Sequence, residues 1–182
     1  PPAHKVERMD VTQGKLCLGY VTPITIADPE YPAMQVLDTI LGGGMTSKLF
    51  LNVREKQSLC YAIGSGYYGS KGIMTISAGI DPQQEQTVRA EIAGQLDACR
   101  RGEISGQELD AAKEARISGL RAVHDSPGAI EGYYATAALS GFPRSPQARM
   151  ADIAAVTAEQ AARAAESLTL QASFFLTGGD PS

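Results

Sequence analysis

Apolar positions recur with two different periods along this 182-residue chain. Between Gly14 and Thr22 they alternate, with Leu16, Leu18 and Tyr20 on one side and Cys17 and Val21 on the other, which predicts a strand. From Tyr31 to Leu41 the period lengthens. Met34, Leu37, Ile40 and Leu41 fall on one helical face, and Gly42-Gly43-Gly44 closes that helix. A shorter helix is expected next, capped by Thr46 or Ser47 and ending in Arg54-Glu55-Lys56, with Leu49, Phe50, Leu51 and Val53 largely buried. Leu59–Tyr68 and Gly72–Ile80 return to strand-like patterning and are joined by the turn signal Gly69-Ser70-Lys71-Gly72, so they read as a hairpin.

Helical spacing dominates the remainder. Asp81-Pro82 opens a long helix to about Arg101, its apolar face formed by Val88, Ile92, Leu96 and Cys99. Ser105 to Glu108 is a capping box for a helix reaching about His124, and Ser126-Pro127 starts another to about Leu139. After the break at Gly141-Phe142-Pro143 and a short turn around Ile153, a second capping box (Thr157 to Gln160) starts a helix ending near Leu168. Leu170–Leu176 closes the pattern as a strand, ended by Gly178-Gly179. Residues 1–10 show no period and read as a polar lead-in, the remnant of a linker, leaving 11–182 as one domain. The order predicts an α+β fold: a mixed or antiparallel sheet of about four or more strands with helices packed on one face.

Composition narrows the function classes. A net charge of −4 and the lack of any basic run argue against nucleic acid or an anionic membrane as partner. No apolar stretch approaches the roughly 20 residues of a membrane span. The three cysteines, Cys17, Cys60 and Cys99, are widely spaced without a Cys-x-x-Cys pair, so they read as reduced core residues of a cytoplasmic protein. The Pro1-Pro2 start without methionine reads as a piece of a longer protein.

Catalytic constellations are few. An inverted zinc-peptidase motif needs His-x-x-Glu-His, whereas the only histidines are His4 and His124, far apart; no zinc site is expected within the chain. Gly64-Ser65-Gly66 falls inside a strand and lacks the strand–turn–helix setting of a nucleophile elbow. The glycine triplet lies between two helices and lacks the spacing of phosphate loops. Lys48 reads as a solvated lysine, and the carboxylate pairs Glu103/Glu108 and Asp110/Glu114 as capping and solvation.

Arg54 and Tyr61 remain, on either side of a helix end and a strand start. Spacing alone favours a plain reading of an exposed arginine and a partly buried tyrosine. A peptidase, however, needs both chemistries together: a guanidinium binds substrate carbonyls, and a phenol donates to the oxyanion of the tetrahedral intermediate. The run Leu41-Gly42-Gly43-Gly44-Met45-Thr46-Ser47-Lys48-Leu49-Phe50, followed by Val53-Arg54-Glu55-Lys56 and Leu59-Cys60-Tyr61, resembles the C-terminal half-domain of pitrilysin-type zinc peptidases, the insulinase or processing-peptidase-like family. The stretch Ile104–Lys113 is similar to a segment between that family's long helices.

The resemblance implies that Arg54 binds substrate and that Tyr61 is the catalytic, transition-state tyrosine. It implies peptide substrates, and as partner an N-terminal half-domain or homologous subunit that carries the zinc. Alone the chain is not expected to be active. Two departures stand out: Ser58 where the family usually has Gly, and Lys48 where Arg is common. Val53–Tyr61, Lys71-Gly72 and Asp10–Leu16 are similar to a bacterial branch without the zinc motif, whose members accompany an active paralogue and are linked to modification of translation elongation factor P. That placement implies a non-catalytic partner or scaffold subunit as the alternative. A third reading is a dimerisation domain, an exposed apolar face making the chain a homo-oligomer.

Overall fold

The computed structural model describes residues 1–178. Five strands form one mixed sheet: β1 (Ala3–Met9), β2 (Gly14–Val21), β3 (Cys60–Tyr68), β4 (Ile73–Ile80) and β5 (Thr169–Gly178). Their spatial order is β1-β5-β2-β4-β3, with β1 parallel to β5 and every other pair antiparallel. Six α-helices complete the fold: α1 (Tyr31–Gly42), α2 (Glu85–Arg100), α3 (Gly106–Arg121), α4 (Pro127–Leu139), α5 (Pro146–Ala154) and α6 (Ala158–Glu166). The α+β expectation holds. The sheet's alternation puts Leu16, Leu18, Tyr20, Met74, Ile76, Ala78, Ile80 and Phe175 into a single core with Met34, Leu37, Leu41, Ile92, Leu96 and Ile153 from the helices. Lys15, Val21 and Ser77, from the opposite sheet face, are exposed.

Several expectations change in detail. Residues 1–10, read as a lead-in, contain strand β1, which pairs Ala3–Met9 with Ala172–Gly178 on the sheet edge. All of its residues are exposed, so it carries no apolar alternation to betray it. The turn around Ile153 is helix α5, started by the Ser145 side chain accepting from the Ala148 N–H, with Pro146 in its first turn. Both predicted capping boxes form, at Ser105/Glu108 and Thr157/Gln160. The last strand runs on to Gly178, and Gly179 lies outside the described residues. All three cysteines are free; Cys60 and Cys99 are buried, but Cys17 sits half-exposed on the open sheet face.

Two of the three glycines, Gly42 and Gly43, are required by close approach rather than by a left-handed turn, while Gly44 faces open space. Gly43, the C-cap of α1, has a negative φ of −79°. A Cβ on Gly42 would lie 2.5 Å from the Ser65 backbone nitrogen of β3, and one on Gly43 would lie 2.6 Å from the Thr39 Cα. The end of α1 thus lies directly on β3, where a polar cluster fastens it. The buried Asp38 carboxylate accepts from Arg116 Nη2 of α3 and from Ser65 Oγ, both at 2.7 Å. Arg116 Nε also donates to Thr39 Oγ1 at 2.6 Å and to the Gln35 carbonyl at 3.1 Å. Ser65 therefore has a structural role inside β3.

Lys48 is not solvated. It is 9% exposed, and its Nζ lies 2.8 Å from Glu108 Oε1. Glu108 caps α3 as expected and also neutralises this lysine. Burial pushes the Glu108 carboxyl up, but the hydrogen bonds from Lys48 and from Ser105 together outweigh it, and the carboxyl ends below its usual range. A carboxyl depressed in the folded state adds stability above its unfolded pKa, about 4.3, and that stability is lost as the pH falls below it. Urea titrations from pH 7 to pH 3 should therefore show a loss of stability below about pH 4.3 that is smaller in Lys48→Met. Equal slopes for the two proteins would contradict the pairing.

Candidate functional site

Residues Leu49–Lys56 form a π-helical segment that leads into the edge strand β3. Such wide turns are rare and expose backbone at functional places more often than chance allows. Leu49 and Val53 anchor the segment in the core, while Leu51 is exposed and Phe50 only partly covered, so fewer of its apolar residues are buried than the pattern predicts. A π-turn presents a narrower apolar stripe than an α-turn with the same sequence. Asn52 Nδ2 donates to Gln95 Oε1 of α2 at 2.7 Å, and Gln57 Nε2 donates to Glu91 at 2.8 Å. These bonds fix the outer face of the segment to α2.

Arg54 projects from the last turn. Its side chain is 38% exposed, its guanidinium lies 4.7 Å from the centre of the Phe50 ring, and its ion pair is with the neighbouring Glu55 at 3.7 Å. The ring holds the cation by its π face and leaves the N–H edge for other acceptors. Two backbone bonds then turn the chain sharply, from Ser58 N–H to the Arg54 carbonyl (3.0 Å) and from Leu59 N–H to the Val53 carbonyl (3.1 Å). Ser58 completes this turn with φ of 54°, the left-handed region. That geometry supplies the physical reason for a glycine at this position in similar proteins. Ser58→Gly relieves roughly 1–2 kcal/mol of left-handed strain and gives back roughly 0.5–1 in chain entropy. Chemical denaturation should register a net gain of about 0.5–1 kcal/mol. A loss would show the turn to be unstrained.

Tyr61 follows at the start of β3. Cys60 pairs with Ile80 and Ala62 with Gly79, so Tyr61 is the extra residue of a β-bulge. Bulges re-aim a side chain at a sheet edge. Tyr61 is 62% exposed, more than the partly buried tyrosine expected from spacing, and among the described residues its hydroxyl has no hydrogen-bond partner. Arg54 and Tyr61 are thus brought to one corner, the beginning of β3, without bonding to each other. Their common neighbour is Cys60, whose thiol is pushed up by burial and pulled partly back by the Arg54 charge.

Other tyrosines near this strand behave differently. Tyr67, at the far end of β3, donates to the Ile24 carbonyl at 2.6 Å and packs on Tyr31 at 5.8 Å between ring centres, so it is structural. Burial pushes its phenol well up. Tyr68 is exposed. His4 lies on β1 with its Nδ1 2.8 Å from Ser173 Oγ, and His124 meets Gln147 at 3.0 Å in the 3₁₀ turn after α3. Among the described residues no group of three or more His, Cys, Asp or Glu is placed to hold a metal ion. The donor set that zinc would require is not part of this corner.

Comparison with known proteins agrees with this geometry. Residues 1–116 match the family model described as the peptidase M16 inactive domain. The chain is similar to the probable inactive metalloprotease YmfF of Bacillus subtilis, 35% identical over 178 residues, which is 97% of this chain and 42% of that protein. It is also similar to the uncharacterized zinc protease YmxG of the same organism, 32% identical over 59% of this chain and 26% of that one. A conserved protein from Enterococcus faecalis superposes over the whole chain and 43% of its own, with a TM-score of 0.94 and 34% identity. An M16 inactive domain from Pseudomonas fluorescens shares the fold, with a TM-score of 0.83 at 23% identity over 100% of this chain and 45% of its own. The chain spans less than half the length of these relatives. On the family match across residues 1–116 and the likeness to YmfF across nearly its whole length, this chain belongs to the peptidase M16 family, as the family's inactive, C-terminal type of domain.

Proposed function

We propose that this domain is the substrate-clamping half of a two-domain M16 assembly, with Arg54 and Tyr61 directed at a peptide held against a neighbouring half-domain. The observation that carries this reading is the bulge at Tyr61. It turns a phenol outward beside a guanidinium; among the described residues the phenol has no hydrogen-bond partner and the guanidinium no carboxylate but Glu55. Arg54 takes substrate carbonyl oxygens, and Tyr61 donates a hydrogen bond to the oxygen that gains negative charge. Any zinc belongs to the neighbouring domain or subunit, since the described residues offer no donor set. The three free cysteines suit a reducing compartment such as the cytoplasm.

A second reading is favoured by the likeness to YmfF, described as a probable inactive metalloprotease. In it the same corner grips a peptide, or an active paralogue, without hydrolysis, and the chain serves as a scaffold subunit. The experiment uses the longer protein containing this chain, alone and mixed with any M16 paralogue from the same organism. Bound zinc and cleavage of a mixed peptide library are measured together. Chelator-sensitive cleavage that weakens in Arg54→Ala chiefly through KM supports the clamping role. Stable association with the paralogue, and a cleavage rate unchanged by Arg54→Ala, selects the scaffold.

A further inference from the structure

A cavity of about 440 Å³ lies apart from Arg54 and Tyr61, neither of which lines it. Its wall is built from the start of α1, the loop before it, α5 and α6. Tyr31, at the start of α1, packs on Tyr67 of β3, six residues along the strand from Tyr61. At ~3.3 Å per residue the two places are roughly 20 Å apart.

Arg149 of α5 lines this cavity and is 6% exposed. Its guanidinium lies over the Tyr31 ring at 4.7 Å and over the Phe142 ring at 5.8 Å. The Tyr133 hydroxyl lies beside it, its phenol raised by burial and lowered in part by the Arg149 charge, and that hydroxyl donates to the Arg144 carbonyl at 2.9 Å. The other buried cation among the described residues, Lys48, has an anion, Glu108. No carboxylate among the described residues lies within ion-pair distance of Arg149. A buried charge without a counter-ion is costly. An arginine held in this state is half of a pair.

The neighbouring carboxylates are engaged elsewhere or lie outside. Asp28 accepts from the Thr25 N–H at 2.7 Å and the Thr25 hydroxyl at 2.6 Å, and these bonds lower its pKa. Asp152 is forked by Arg144. Glu30 and Arg163 stand exposed at the cavity wall. With Arg144 and Asp152 cancelling, the remaining lining charges are two cations and two anions. A monoanion is tolerated in such a setting, whereas a dianion meets repulsion from Asp28 and Glu30.

We propose that this cavity is a binding site for a single carboxylate group, received by the N–H edge of Arg149 while the Tyr31 and Phe142 rings hold the guanidinium. A planar guanidinium matches a planar carboxylate in two parallel hydrogen bonds. The room beside it admits the adjoining part of the molecule that carries the carboxylate, either the C-terminal residue of a peptide or a small organic acid. The proposal stands apart from the reading given to Arg54 and Tyr61.

The test is a titration of the ¹⁵N-labelled full chain, following the Nε–Hε resonance of Arg149. Four probes are compared: a hexapeptide with a free C-terminus, the same peptide amidated, acetate, and inorganic phosphate. A saturable shift with the free peptide and none with its amide supports a peptide terminus. Equal saturation by acetate supports the carboxylate site and assigns it to small acids. Binding should weaken about tenfold or more in Arg149→Gln. Arg149→Lys, which keeps the charge, tests the fork should the Gln variant not fold, and it should recover only part of the affinity. Silence of the resonance to every carboxylate, binding unaltered in both variants, or a stronger response to phosphate would each overturn the proposal.

Discussion

Arg116→Met is expected to destabilise the domain by about 3–5 kcal/mol, the range for breaking a buried ion pair from one side. Methionine has nearly the length of the aliphatic arm it replaces, so little packing is lost. The carboxylate left behind is the difficulty: the Asp38 side chain is 7% exposed and keeps only the Ser65 hydroxyl as donor. The reverse substitution is milder. Asp38→Asn leaves Arg116, whose side chain is 32% exposed and can turn toward water, so a cost of about 1–2 kcal/mol is expected. Domains of this kind have about 5–15 kcal/mol in total, so Arg116→Met removes a large share and lowers Tm on the order of 10 °C. Calorimetry on both variants checks the asymmetry. Near-equal losses would mean that Asp38 reaches solvent. A loss under about 1 kcal/mol for Arg116→Met would remove the cluster from the list of what fastens α1 to β3.

Tyr61→Phe is expected to lower kcat for peptide hydrolysis by roughly 100-fold or more in an assembly that contains this chain and is active, with little change in KM. The split follows from the chemistry. Phenylalanine keeps the ring and the bulge but deletes the phenolic O–H, whose interaction is made in full when the carbonyl oxygen gains charge. Stability should stay within about 0.5 kcal/mol, because the hydroxyl has no partner among the described residues and the ring is mostly in water. An unchanged kcat would remove Tyr61 from catalysis and leave the scaffold reading. Loss of folding would show that the ring packs against something this corner does not reveal.

Much of this architecture was legible because β2 and β4 alternate, a turn signal joins β3 to β4, and α1, α2, α3, α4 and α6 carry clear caps or stripes. The element that escaped, β1, has no apolar face at all, since a solvent-exposed edge strand needs only backbone pairing. Helix α5 escaped despite the cue of Ser145-Pro146, the same signal that marks Ser126-Pro127, because Arg149 occupies a buried place where a periodic pattern expects an apolar residue. Lys48 and Glu108 were misjudged for a related reason. Sixty positions separate them, and a pair that neutralises itself in the interior has the same letters as two solvated charges. Arg54 and Tyr61 were singled out through family likeness alone, since a bulge and a left-handed serine leave almost no trace in the hydrophobic period.

The position of β5 bears on the order in which the domain can be made. Of these five strands, the last in the chain lies between the first two, β1 on one side and β2 on the other. Until it arrives β1 has no neighbour to pair with, and one edge of β2 stays open while some 140 residues of hairpin and helix emerge from the ribosome. The helices can collapse on the β2–β4–β3 half beforehand, but the sheet closes only when the chain inserts its own final strand. A nascent or C-terminally clipped domain therefore offers an open slot of the width and polarity of β5, into which the β5 of a second copy fits as well as its own. Strand exchange is the misassembly to which this topology is most exposed.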